Sequence, residues 1–320
     1  MAKSLSQLLR REQFAFLGRD RSGWAPHLDR VRAFLGEGLQ AADPARPVLV
    51  LGAGSGLEIP WAVAPAQTTG WDADPWSRAW TLLRHRRWVP WVFGDLTGGL
   101  DALAAAAQRC AAEPWSRRRR EPEQAAKRLA GLVGSLVPIP APLQRWIQEH
   151  RPGTILVANV MGQFGGVVQQ IAEKTLGLEG LERDPDQPDP LGIALEAWTL
   201  RALRAFLDTL RDSGADLWLV HDRAVIFNEG PLTLGPWADD WKWQLFQGAE
   251  QPLEVHDPLM GLEVPARLGT PSVLARRERW LWDLAPGQRH LMEALAWVPL
   301  AGRASVATVN PCPQRAPQQP

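Results

Sequence analysis

Apolar positions along this chain follow two rhythms. Up to residue 40 they recur every three or four positions: Leu8, Leu9 and Phe16 in one stretch, then Leu28, Val31, Phe34 and Leu35 in another, with a break at residues 18–23. That spacing predicts helices burying one face. Asp43-Pro44 and Pro47 close the segment. Short continuous apolar runs then take over. Val48-Leu49-Val50-Leu51 is rich in β-branched residues and ends in glycine, the pattern of a strand buried on both faces of a parallel sheet. Further strands are predicted over 68–71, ending at Asp72; over 88–94, ending at Asp95; over 153–160; and over 216–220, ending at His221-Asp222. Helical stretches separate them. A short piece runs to about 63. Residues 74–87 open with Asp74 as N-cap and Pro75 in the first turn. Others cover 97–112, 123–136, the residues after Gly162, and 191–211, where Leu203, Phe206, Leu207 and Leu210 form an apolar stripe opposite Arg201, Arg204, Asp208 and Arg211. Residues 279–283 and 289–298, separated by Pro286-Gly287, read as a closing antiparallel pair.

Five strands alternating with helices imply an α/β fold, a doubly wound, mostly parallel sheet with helices on both faces. In domain terms, residues 1–45 form an N-terminal helical cap and 46–300 the α/β domain. Residues 113–152 are a helical insertion or lid, and 310–320, with four prolines, a disordered tail. Ligands bind such sheets beyond the C-terminal strand ends. The polar residues cluster there: a glycine loop after Leu51, then Asp72, Asp95, Asn159 with Gln163, and His221 with Asp222.

Composition removes several classes. The 320 residues carry 35 Lys+Arg against 35 Asp+Glu, so zero net charge argues against bulk electrostatic capture of nucleic acid or an anionic membrane. Arg117 to Arg120 are followed at once by Glu121 and Glu123 and read as a solvated helix face. Cys110 and Cys312 stand far apart, which suggests neither a disulfide framework nor a zinc site, and six scattered histidines offer no metal spacing. No stretch reaches membrane-span length and no signal peptide is visible, so a cytoplasmic location is expected. There are 17 Trp and no Tyr, which removes tyrosine acid/base chemistry.

The loop Gly52-x-Gly54-x-Gly56 lets a ligand approach the backbone closely, and a helix after it would offer N–H groups to an anion. No Gly-Lys-Ser/Thr follows it and no G-x-S-x-G elbow occurs, which excludes a phosphate loop and an α/β-hydrolase. The dinucleotide fingerprint fits in part. Asp72 lies at a compatible distance, but the third glycine position holds Leu57, and Asp95 has no role in that pattern.

Four blocks taken together, VLVLGAGSGLE (48–58), GWDADP (70–75), FGDL (93–96) and ILVANVMGQF (155–164), resemble the class I S-adenosylmethionine-dependent methyltransferases. The resemblance covers roughly residues 45–222. It implies a Rossmann-like, seven-stranded sheet with its last pair antiparallel. It implies S-adenosyl-L-methionine as cofactor, with Gly52, Ala53, Gly54 and Gly56 beside its methionine part. Asp72, with Ala73, would accept from both ribose hydroxyls; Asp95 would accept from the adenine amino group, Leu96 packing on the ring; Asn159 would face the sulfonium. The family often has an acidic residue where this chain has Val50, a role left to Glu58 or to the N-terminal helices. The activity implied is methyl transfer to an N or O acceptor, with His221, Asp222 and Asn159 as candidate catalytic residues. The expected acceptor is a small molecule, because no Pro-Pro-aromatic run follows Asn159 as in base-methylating enzymes. A competing reading keeps Asp72, Asp95 or Asn159 as caps and loop ties. Two alternatives stay open: an NAD(P)-dependent oxidoreductase and a non-catalytic cofactor-binding member.

Overall fold

The structure, a computed structural model, describes residues 21–112, 121–178, 189–227, 232, 254–269 and 272–299. The first helical stretch of the N-terminal cap, Arg117 to Arg120, and the 310–320 tail lie outside them. The chain forms α1 (Arg21–Ala41), β1 (Val48–Leu51), a 3-10 turn (Trp61–Val63), β2 (Thr68–Asp72), α2 (Ser77–His85), β3 (Trp91–Phe93), α3 (Leu100–Ala112), α4 (Glu121–Val133), α5 (Ala141–His150), β4 (Thr154–Ala158), α6 (Gln163–Leu176), α7 (Pro190–Asp212), β5 (Asp216–Phe227), β6 (Glu254–His256), α8 (Val264–Leu268), β7 (Ser272–Ala285) and β8 (Gln288–Pro299).

The fold is α/β and Rossmann-like. The sheet order is β3-β2-β1-β4-β5-β8-β7, with β6 added against β5. Strands β1 to β5 are mutually parallel, and β8 runs antiparallel between β5 and β7. Strand order reverses between β1 and β4, which places the loops after Leu51 and Ala158 side by side at the switch point, where such sheets bind ligands.

The period-2 geometry of β1 explains its unbroken apolar run. Leu49 and Leu51 enter a core shared with Leu103, Leu129, Val168 and Phe206 of α3, α4, α6 and α7. Val48 and Val50 enter a second core with Val31, Phe34 and Leu35 of α1. Both faces are covered, so no polar position is tolerated. Helix α7 starts where the side chain of Asp189 accepts from the Gly192 N–H and Pro190 takes the first turn; its predicted stripe, Leu203, Phe206, Leu207 and Leu210, is fully buried.

Several boundaries differ from the pattern-based expectation. Strand β3 holds three residues, because Pro90 cannot donate to a ladder. Asp74 does not cap α2. Its carboxylate accepts from the Trp76 N–H at 3.0 Å, making a turn ahead of the helix. Helix α5 was not anticipated within 113–152, although Leu143 and Ile147, both buried, stand at helical spacing. The described part of that insertion packs α4 on α3 and α7, and no residue of α4 or α5 lines the cavity described below. Among the described residues no helix is long and apolar enough to cross a membrane.

The largest difference concerns β5. It does not stop before His221 but continues to Phe227, with a register shift between Asp222 and Ala224. His221 therefore stays inside the sheet, fully buried, its Nε2 3.3 Å from Glu293 of β8. Burial alone would raise the Glu293 carboxyl, but the His221 side chain and the Arg277 guanidinium outweigh it and hold the group at about 2. The folded value lies below the unfolded one, so the stabilisation is present above pH ~4.5 and is lost as pH falls toward 2. We expect a stability–pH profile that drops by about 3 kcal/mol across that window, and a Glu293→Gln protein without that component. An unchanged acid limb in chemical denaturation would contradict the ion pair.

Candidate functional site

The strand ends of β1, β2, β4 and β5, the loop after β3, and the β7–β8 hairpin enclose a cavity of about 530 Å³. Of the sequence-predicted residues, Gly52, Ala53, Gly54, Asp72, Ala73, Asp95, Leu96, Asn159 and Asp222 line it, together with Gln163.

The glycine loop is shaped from both sides. Gly52 has φ +68, and a Cβ there would lie 2.5 Å from the Val160 Cβ, so the β1 and β4 loops can touch only if this residue is glycine. A Cβ at Gly54 would meet nothing closer than 3.9 Å, and its N–H donates to Asp72 Oδ2 at 2.7 Å. Gly56 departs from expectation. It does not line the cavity, and a Cβ there would meet Thr81 Oγ1 at 2.8 Å and Trp61 Nε1 at 2.9 Å. Its role is to let the loop pack on α2 and the 3-10 turn.

Asp72, at the end of β2, accepts one backbone N–H on each oxygen, from Gly54 and, at 2.8 Å, from Asp74. Each oxygen has a second lone pair, with the Ser77 hydroxyl close enough to compete for one of them, and the side chain borders the cavity. Burial raises its pKa above the ordinary value; the Asp74 and Gly54 N–H groups oppose the rise.

Asp95 also borders the cavity but is engaged otherwise than expected. Its Oδ1 accepts from the Thr97 N–H and hydroxyl, both at 2.8 Å, and Oδ2 from the N–H groups of Gly99 at 2.7 Å and Leu100 at 2.8 Å. It caps α3, and its lone pairs are filled. The expected hydrogen bond from an adenine amino group to Asp95 would have to compete with these four donors. What this end offers a flat base is apolar contact from Leu96, Leu100, Phe164 and Val167.

Asn159 carries backbone strain, with φ +45. Its N–H donates to the Val220 carbonyl at 2.9 Å, and its carbonyl accepts from Gln163 Nε2 at 3.0 Å. Its side-chain Oδ1 is buried, with no hydrogen-bond partner among the described residues, although the residue itself borders the cavity.

His221 does not reach the cavity; the continuation of β5 buries it against Glu293. Asp222 does, and its partner there is His290, whose Nδ1 lies 2.9 Å from Asp222 Oδ1. The histidine beside Asp222 thus comes from β8 rather than from the adjacent position. Sequence reasoning missed His290, Gln288, Trp282 and Trp24, which also line the cavity. The available signal was the alternation Trp280, Trp282, Leu284 and Gln288, His290, Met292 across the hairpin, which puts these residues on one face.

Helix α1 closes another side. Arg32 Nε donates to the Leu57 carbonyl at 2.7 Å, and Trp280 Nε1 donates to His27 Nδ1 at 3.2 Å. That leaves His27 Nε2 facing Glu58 Oε1 at 3.5 Å. Glu58 lines the cavity, so this chain presents a carboxylate from position 58 although position 50 is Val.

The electrostatics of the lining are one-sided. Glu58, Asp72, Asp74, Asp95 and Asp222 contribute carboxylates; among the described residues no Lys or Arg lines the cavity. The loop Gly52 to Gly56 leads not into an α-helix but into turns and the three-residue 3-10 piece, so the anion-binding helix N-terminus expected from the sequence is absent there. Among the described residues no group of three or more His, Cys, Asp or Glu could hold a metal ion. Searches of family models and of curated proteins return no match for this chain.

Proposed function

We propose that this protein is a methyltransferase that uses S-adenosyl-L-methionine and methylates an N or O acceptor of small-molecule size. The observation that carries the reading is the charge of the cavity: Glu58, Asp72, Asp74, Asp95 and Asp222 line it, against one histidine, His290, and, among the described residues, no Lys or Arg. A dinucleotide brings a pyrophosphate, which favours a helix N-terminus or a cation; no α-helix follows the glycine loop, and the guanidiniums beside it, Arg84 and Arg32, are turned to the Ser55 and Leu57 carbonyls and do not line the cavity. A ligand carrying a sulfonium and an ammonium suits the same wall by simple attraction.

The residues fit the cofactor in a specific way. The spare lone pairs of Asp72 match the two donors of a vicinal diol. Leu96, Leu100, Phe164 and Val167 would sandwich the base. Glu58 would attract the amino group, and Asn159, which borders the cavity at the end of β4, would lie near the sulfonium. When bound, the cofactor supplies a methyl group on a positively charged sulfur. The protein's own tasks are to fix the acceptor in line with that methyl and to exclude water. A small-molecule acceptor and a cytoplasmic setting belong to the same proposal.

Calorimetric titration with S-adenosylhomocysteine and, separately, with NADH tests it. We expect the thioether nucleoside to bind and the nicotinamide dinucleotide not to. Binding of NADH alone would replace the reading with an oxidoreductase.

A further inference from the structure

We propose that the Asp222–His290 pair is the proton-accepting centre of the acceptor subsite, and that this subsite takes a flat, apolar molecule bearing one ionisable hydroxyl. The inference rests on the methyltransferase reading for what happens next, but its geometry stands apart from the nucleoside end.

The two residues meet through a backbone irregularity. In the β5–β8 register Asp222 pairs with Met292, and after the shift Val225 pairs with His290. Arg223, the residue skipped by the register, turns its guanidinium to Asp257 at 3.1 Å and to Glu263, which anchors the bulge. Gly162 completes the fit, since a Cβ there would lie 2.6 Å from Asp222 Oδ2. A bulge, a glycine and a buried ion pair are thus spent on aiming one carboxylate at one imidazole.

Chemistry fixes the tautomer. An ionised carboxylate only accepts, so His290 carries its proton on Nδ1 and exposes a lone pair on Nε2. That lone pair accepts from the Gln288 amide nitrogen at 3.2 Å, and the Gln288 side chain also lines the cavity. An incoming hydroxyl can displace it. The O–H bond then breaks, its electron pair stays on oxygen, and the proton ends on Nε2, with Asp222 stabilising the imidazolium. Under the proposed function the oxygen forms the new bond to the methyl carbon, and the carbon–sulfur pair leaves with the sulfur of the sulfonium donor.

The surroundings set the substrate class. Trp24 and Trp282 pack edge to face at 5.2 Å, and the Trp282 ring lies 5.3 Å from that of His290. Leu28, Val225 and Leu284 complete an apolar wall. These side chains are packed on one another, so a planar apolar ring would lie along this wall rather than between its rings, with a hydroxyl on it meeting the one base. The other titratable groups nearby are His27, stacked on Trp282 at 3.9 Å, Glu58 beyond it, and the Arg289–Asp283 pair on the solvent side.

4-Nitrophenol reports its own ionisation by visible absorbance and serves as the probe, with and without S-adenosylhomocysteine. We expect the protein to bind it and to raise its acid ionisation constant roughly ten-fold. His290→Gln and Asp222→Asn should each return the constant to that of the free phenol, while Gln288→Ala, which removes the contact the hydroxyl has to displace, should give a rise at least as large as the wild type's. If His290→Gln fails to fold by near-ultraviolet circular dichroism, Asp222→Asn carries the test. No binding by the wild type, or ionisation that is the same in wild type and variants, overturns the proposal. A rise that depends on His290 in a protein that ignores S-adenosylhomocysteine upholds the base and removes the methyl-donor reading instead.

Discussion

Asp72→Ala is expected to weaken binding of S-adenosylhomocysteine by at least ~2 kcal/mol, about thirty-fold, in calorimetric titration. The loss has two sources. The direct one is a charged acceptor with two ligand donors. The indirect one is the loop: Gly54 loses the partner of its N–H, which sits 2.7 Å from the carboxylate, and the turn at Asp74 loses its own at 2.8 Å. A change confined to structure would lower stability and leave affinity of the folded fraction untouched; unchanged affinity would make Asp72 a loop tie alone. The pH dependence gives a second handle. Burial lifts this carboxyl above 3.8, so the ionised form begins to disappear at a higher pH than for a free aspartate. Hydroxyl donors favour the ionised form. Affinity should therefore fall on acidification, beginning above pH 3.8, and Asp72→Ala should abolish that dependence.

The largest effect on stability is expected from Gly98→Ala. This residue has φ +69, and an added Cβ would lie 1.7 Å from the Ile139 carbonyl oxygen and 2.1 Å from its carbon. These are backbone atoms that cannot rotate away. Strain in the left-handed region adds to the clash, for a total of about 4 kcal/mol in chemical denaturation. The site should respond too, because Gly98 lies inside the turn that Asp95 closes onto Gly99 and Leu100. Gly131→Ala is the matching control. It sits in α4 with nothing within 4 Å of the added carbon, and should stabilise the protein by about 0.5–1 kcal/mol.

The contrast between those two glycines marks what the chain reveals unaided. Periodicity carried β1 and β4 because each run faces a core on both sides, as Leu49 and Val50 do. It carried α7 because its stripe is long. It failed where backbone chemistry rather than burial decides. The sequence cannot distinguish an aspartate that waits for a ligand from one that caps a helix; Asp72 and Asp95 both follow strands, and only the positions of the Gly99 and Leu100 N–H groups separate them. His221 was read as a cavity residue because polar residues usually end strands. The ion pair with Glu293 lets β5 run through it. His290 was invisible for the complementary reason. Its partner lies 68 positions away and meets it only through a bulge.

The claim beneath all of this is that the carboxylate at the tip of β2 grips the sugar of a nucleoside whose charged arm lies on the glycine loop. A crystal structure of the protein with S-adenosylhomocysteine tests it most directly. The account predicts both ribose hydroxyls on Asp72, the base against Leu96 and Phe164, and the amino group near Glu58 or Asn159. A nucleoside bound outside this cavity, or bound inside it with its ribose turned away from Asp72, would contradict it.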